Sequence, residues 1–379
     1  MSVADGGLND FPALGFDAAH AAARLGELGA HGMLLSSPEN VFYTTGYTAL
    51  PSSGNPILYT LRNRLPYFSY VDREGEVVLV CWGFSTEGVN FGADRIVGIN
   101  TLAEAIDAVG ELARSKSDGT PLGVESTAPR YVCELLREAG LETVVADRLI
   151  EDMRLIKSPA ELELIRRSTA IIEGCVDELY GVLEVGMSRA DLMHRARTML
   201  IERGASGISH LTFTFGGSNP EIEIAEPLQA GSLVTLDLGA IVGGYCSDNR
   251  RYAYMGELPD QLRTTYDTMV SIVDDVGAML TPGMTHLEIF DRALELHEER
   301  GVPPLARFTH TGHNIGLETE ERWLADAQDE TIEPGMAINI ELYTNTGTHG
   351  QLGDEESYLV TQSVPERLTV LPRVIREIG

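Results

Sequence analysis

Lysine is almost missing from this chain. Of 379 residues only Lys116 and Lys157 are lysines, and 28 basic residues against 57 acidic ones leave a formal charge of −29. A surface that acidic repels phosphate backbones, which excludes nucleic acid as a partner. Cysteine is also scarce. Cys81, Cys133, Cys175 and Cys246 are scattered, with no CxxC or CxxH spacing. That excludes a disulfide framework and a cysteine-ligated structural zinc, and leaves the expectation of reduced, mostly buried thiols in a cytoplasmic protein. No apolar run approaches the roughly 18–20 residues of a membrane span. The opening "MSVADGGLNDFPALGF" has no basic segment followed by an apolar core, so neither a signal peptide nor a membrane partner is expected. Internal repeats and low-complexity tracts are absent as well.

What remains is an ordinary globular composition, 43% hydrophobic and 22% charged, on a chain long enough for two domains. The first part reads α/β. "FDAAHAAARLGELGAHG" predicts a helix closing on glycine. The runs "GMLLSS", "NVFYTTGY", "PYFSYV", "EVVLVCW" and "RIVGI" predict strands, and further helices and short strands alternate up to "TVVAD". A capping box, Ser158 with Pro159 and Glu161 after it, opens a long helix. The domain boundary is therefore set at 155/156, giving domains 1–155 and 156–379. In the second, helices opening at Ser188 and Thr285, and one over about 258–280, alternate with strand-like runs. The prediction is an α+β domain of long helices around a mostly antiparallel sheet. His194, His286 and His297 fall on helices and are expected at the surface; His210 is expected at a strand edge. Phe42, Tyr43, Tyr47 and Trp82 are expected in the first domain's core.

Five residues of the second half stand where core residues belong. "VTLDLGAIVGGYCSDNRRY" sets Asp237 and Asp248 eleven apart in apolar, β-prone sequence with Gly243 and Gly244 between them. Aspartate is depleted in strands, and a buried carboxylate is costly unless paired or bound to a cation. "RFTHTGHNIGLE" carries His313, "GMAINIELYT" ends on Glu341, and "LGDEESYLVT" opens with Glu355. Two adjacent divalent ions need several hard carboxylate oxygens and accept an imidazole. Such a pair can share a hydroxide and polarise a carbonyl. The set predicts two divalent ions, manganese first, with cobalt, iron or zinc as alternatives.

In this order and context the residues resemble the pita-bread metallopeptidases, the family of aminopeptidase P, prolidase and methionine aminopeptidase. The matching motifs are "DLG" at Asp237, "GYCSD" at Asp248, "GHNIG" at His313, "GMAINIE" at Glu341 and "DEESYLVT" at Glu355. "SSPENVFYTTGY" and "MRLIKSPAELELIRRS" resemble the two-domain prolidase and creatinase branch, so the likeness runs over nearly the whole chain. It implies a pita-bread catalytic domain behind a smaller creatinase-type domain, a homodimer, and a hydroxide-driven attack on the amide of a short Xaa-Pro-like peptide. It also implies that Glu341 doubles as general base.

Three departures from the family stand out. The peptidases' histidine before the first aspartate strand falls on Glu223 or Ile224 here. The histidine shortly after G-H-x-x-G falls on Glu320. The arginine two before the last glutamate is Gly353, and the proline after the fourth ligand is Leu342. Those histidines handle substrate in the peptidases. Glu223 and Glu320 are therefore candidate substrate contacts, suited to a cationic or guanidinium-like group, with Arg251 as a third. His310 and His349 are candidate catalytic imidazoles in place of the missing ones. Of Arg250 and Arg251, one is expected to pair with a carboxylate behind the ligands. The alternative to a peptidase is a relative acting on another small molecule, as creatinase, ectoine hydrolase and a dimethylsulfoniopropionate lyase of this fold do. A third reading is a silent binding protein, which the full ligand set disfavours.

Overall fold

The computed structural model describes residues 10–217, 227–305, 309–324 and 329–379. The chain divides into two compact units, one ending at Arg154 and one beginning at Leu155.

The first unit is a six-stranded mixed sheet with helices. Its strand order is Arg95–Ile99, Val77–Trp82, Phe68–Asp72, Gly32–Leu35, Leu122–Val124, Thr143–Val145. Helices Leu102–Ser115 and Arg130–Glu138 supply Ala105, Val109, Leu112, Val132 and Leu136 to the core on one face. One expectation fails here. "NVFYTTGY" is not a strand but part of a helix, Pro38–Thr45. Local chemistry outweighs its β-branched and aromatic composition. Ser37 caps the helix by accepting from Asn40 N, Pro38 sits in the first turn, and Gly46 closes it at φ 74°. Tyr43 and Tyr47 are buried in this unit, whereas Phe42 and Trp82 are only partly covered.

The second unit holds two sheets. The Leu233–Val242 strand is central to the first, flanked by Gly207–Leu211 and Thr214–Phe215 on one side and Asn249–Met255 on the other. All of these pairings are antiparallel. The sequence gives no sign of the last strand, Ile375–Ile378, which adds in parallel to Asn249–Met255. The second sheet runs Arg322–Trp323, Gly312–Asn314, Ala337–Asn345, Gln351–Leu359, Glu366–Arg367, antiparallel throughout.

Strand alternation decides which side chains see helices. Leu236, Leu238 and Ala240 join a core built with helices Pro159–Tyr180 and Arg189–Glu202. Ile338, Ile340 and Leu342 join another with helices Asp260–Ala278 and His286–Glu299. The helices predicted to open at Ser158, Ser188 and Thr285 do so, each with a capping box. Each such cap contributes about 1 kcal/mol. His286 and His297 are not surface residues: both are buried, and His297 Nδ1 meets the Val302 carbonyl at 2.7 Å. His194 is exposed.

The faces left over turn toward one another. Asn249 donates to the Glu355 carbonyl at 3.1 Å, Ser357 Oγ to the Asp248 carbonyl at 3.3 Å, and Gly353 N to Tyr252 OH at 3.1 Å. These bonds lock the Asn249–Met255 strand of one sheet against the Gln351–Leu359 strand of the other. No helix among the described residues is long and apolar enough to cross a membrane.

Candidate metal centre

The answer to why two aspartates sit in apolar strands lies in the register. Val242 pairs with Tyr245, so the hairpin turns on Gly243 and Gly244, both at positive φ. Further along the same ladder Leu238 pairs with Asn249 and Asp237 with Arg250. Asp237, Gly239, Asp248 and Arg250 therefore share one face, and Leu236 and Arg251 share the other.

The second sheet repeats the device. Glu341 and Glu355 are direct cross-strand partners, between the pairs Asn339–Ser357 and Tyr343–Gly353. Like charges directly opposite destabilise an antiparallel pair, so this position calls for a cation. The two side chains are also held. Glu341 accepts from Tyr343 OH at 2.8 Å, and Glu355 accepts from Asn339 Nδ2 at 2.5 Å and from Tyr343 OH at 3.4 Å. A Cβ on Gly353 would meet the Tyr343 ring at 2.2 Å, so that glycine makes room for the tyrosine.

Asp248 sits between two imidazoles. His210 Nε2 lies 3.1 Å from its Oδ1 and His313 Nε2 lies 3.6 Å from its Oδ2. His210 Nε2 is also 3.0 Å from Asp237 Oδ1. The donor atoms form two groups that share Asp248: His210, Asp237 and Asp248 in one, Asp248, His313 and Glu355 in the other. Within each group all donors lie within 4.8 Å of one another. Asp248 Oδ1 is buried and accepts no hydrogen bond. A buried carboxylate oxygen without a hydrogen bond, set beside imidazole nitrogens, fits a divalent cation.

The electrostatics agree. Burial raises the Glu355 carboxyl well above the usual range, reinforced by Asp248 and Asp237. Burial likewise raises Glu341, against the pull of His313 and Arg250. Burial works against the charged form of His210, yet Asp248 and Asp237 hold its pKa well above the ordinary value. Asp237 is the exception: despite burial, Arg250 and His210 lower it to about 2. Without a cation the cluster has more negative charge than it can hold, which is the condition a metal relieves.

The sequence candidates are not all brought together. Asp237, Asp248, His313, Glu341 and Glu355 converge. His310 stands at the rim, with Nδ1 3.7 Å from Glu341 Oε1 and its ring 4.0 Å from that of Trp323. Glu320 is exposed, within the field of His313 and Asp248, and partial burial raises its pKa. Glu223 lies outside the described residues. His349 meets Tyr254 edge-on, ring centroids 5.9 Å apart, and lines a cleft of about 310 Å³ that none of the five converging residues lines. Arg251 is fully buried on the opposite strand face, bonded to Glu356 and to backbone carbonyls, so it is not placed to touch a substrate.

Sequence reading left Arg250 and His210 without their roles and missed Trp323. Arg250, not Arg251, faces the carboxylates. Its Nε is 3.1 Å from Asp237 Oδ2 and 3.7 Å from Glu355 Oε2, and its guanidinium lies 4.3 Å from the Tyr343 ring centroid. The signal was available, because Asp248 and Arg250 are two apart on a strand. Trp323, opposite His313 in the ladder, walls the site beside both histidines. Its strand is two residues long and left no pattern.

Fold and site together define a two-domain, metal-dependent hydrolase. The profile of metallopeptidase family M24 matches residues 163–362, and that of the creatinase/prolidase N-terminal domain matches residues 18–156. The chain belongs to metallopeptidase family M24, in its two-domain prolidase-like branch, and is a metallohydrolase. It is 27% identical to the uncharacterized peptidase YqhT of Bacillus subtilis, over 92% of this chain and 96% of that one. It is 25% identical to the Xaa-Pro dipeptidase of Pyrococcus horikoshii, over 90% and 93% of the two chains. The crystal structure of the prolidase from Pyrococcus horikoshii superposes with a TM-score of 0.80 at 21% identity, covering 94% of this chain and 98% of that one. That last likeness speaks for the pita-bread fold alone.

Proposed function

We propose that this chain is a dinuclear metallohydrolase that cleaves the amide bond of short Xaa-Pro-like peptides. The observation that carries the reading is Asp248 standing between two donor groups, each with its own imidazole and a second carboxylate. Asp237 and Asp248 would hold one cation, His313, Glu355 and Asp248 the other, and Glu341 would complete the set. Divalent ions in such a site supply Lewis acidity and lower the pKa of water.

The residues around them have separable roles. Glu341 is partly open to solvent and has a raised pKa, so it suits the proton transfer from attacking water to leaving amine. Tyr343 orients it through its hydroxyl. His310, beside Glu341, is within reach of a substrate carbonyl or the leaving nitrogen. Trp323 offers an apolar wall for a prolyl ring.

A second reading rests on Glu320. A carboxylate there, where the peptidases carry a histidine, favours a cationic or amidine-like small molecule over a peptide carbonyl. Assays of the manganese- or cobalt-loaded protein on Xaa-Pro dipeptides separate the two. Proline release that drops after Glu320→Gln supports the peptidase. No cleavage of any dipeptide by the loaded protein favours the second reading, and cyclic amidines and betaines become the substrates to screen. The dimer implied by family resemblance is likewise a proposal, tested by sedimentation.

A further inference from the structure

His210 belongs to no motif of the metallopeptidase resemblance. It precedes by some dozen residues the stretch where the peptidases' own histidine would fall. Its placement is nevertheless built. In the ladder of the first sheet His210 pairs with Gly239, which lies two residues beyond Asp237 and on the same face. On the other side of Gly239 the register that pairs Leu238 with Asn249 brings in Asp248, one step along. His210, Gly239 and Asp248 thus form a row across three strands, and the middle member has no side chain. A Cβ on Gly239 would meet His210 Cε1 at 2.8 Å and the Ser247 carbonyl at 2.3 Å. The glycine lets the imidazole cross the strand and reach both aspartates.

The ring is also oriented. Ser209 Oγ lies 3.1 Å from Nδ1, so a proton on Nδ1 has an acceptor. Nε2 is the nitrogen that points between Asp237 Oδ1 and Asp248 Oδ1, where a cation would replace its proton and take its lone pair. A metal-binding histidine fixed through its other ring nitrogen has this arrangement.

We infer that His210 is a sixth metal ligand, binding through Nε2 the cation held by Asp237 and Asp248. Each of the two cations then has one imidazole, His210 on one and His313 on the other. A histidine-supplemented pair takes borderline ions such as zinc, cobalt or iron in preference to manganese. The inference rests on the dinuclear reading.

The test is cadmium NMR on protein loaded with cadmium and labelled with nitrogen-15 in histidine, alongside calorimetric titration of wild type, His210→Ala and His210→Gln. The expected result is two cadmium signals, each coupled to one imidazole nitrogen. In both variants one cation is retained and the other weakened by about 10-fold or more. Two signals with coupling to His313 alone, and titrations unchanged in both variants, would overturn the assignment while leaving the dinuclear site standing. One cation or none in wild type would remove the dinuclear reading and the inference with it. The coupling is read on the native sequence, so it stands even if the variants fold poorly.

Discussion

Arg250 and Asp237 stand directly opposite each other on neighbouring antiparallel strands, with the guanidinium Nε 3.1 Å from the carboxylate. A fixed cation is thereby set among the carboxylates proposed to bind metal. It explains why Asp237 has a lowered pKa whereas Glu341 and Glu355 beside it have raised ones. Arg250 and a bound metal would compete for the same carboxylate.

Arg250→Thr is therefore predicted to destabilise the metal-free protein by about 3 kcal/mol, because a buried carboxylate loses its partner. It should also enlarge the gain in Tm on adding divalent ions, since the ion no longer displaces a guanidinium. Differential scanning calorimetry with and without metal reads both effects. An unchanged gain would mean the arginine and the ion do not share Asp237.

Arg251 one residue on behaves differently. It is buried with Glu356, beside a second buried pair, Arg373 with Asp354. Arg251→Met is predicted to cost about 3–5 kcal/mol in urea denaturation, the price of an unpaired buried charge. Hydrolysis per folded molecule should stay within about 2-fold of wild type. A rise in KM without loss of stability would restore Arg251 as a substrate contact.

These neighbours show what was legible in the chain. Asp237, Asp248, His313, Glu341 and Glu355 could be named because each breaks a local rule, an acid or imidazole inside an apolar strand. The capped helices were legible because their signals lie within four residues of sequence. Cross-strand relations were not. Whether His210 meets Asp237, 27 residues further on, depends on the register between their strands, with no local trace except Gly239. The Arg250 and Arg251 assignment failed for a simpler reason, since strand alternation separates them and only one of the two can share a face with Asp248.

The pH dependence of the metal-free protein follows from the directions of the perturbed groups. Glu355 and Glu341 are raised above the ordinary 4.5, and His210 above 6.5. A group with a raised folded pKa adds stability that is complete below its unfolded pKa and lost as pH rises through the folded value. These three therefore favour the fold in mild acid and weaken it toward neutral pH. Asp237 acts oppositely: its contribution is present above its ordinary 3.8 and lost as pH falls toward about 2. The metal-free protein should be more stable at mildly acidic than at neutral pH, and saturating divalent ions should reverse that order. Urea melts across pH, with and without metal, check this; the same pH order in both states would contradict it.

Tyr343 links the two glutamates through one hydroxyl. Tyr343→Phe should lower kcat by roughly 10–100-fold with the fold intact, as loss of a ligand-orienting hydrogen bond does. Steady-state kinetics and a thermal melt on the same preparation separate this from simple unfolding.

The central claim is that these strands are shaped around two cations. Elemental analysis of metal per chain tests it most directly, run on wild type and on Asp248→Asn after equilibration with divalent ions. The account predicts about two ions per wild-type chain and a loss from both positions in the variant, because Asp248 serves each. Wild-type protein that binds no divalent ion, or a variant that keeps the wild-type content, would contradict it.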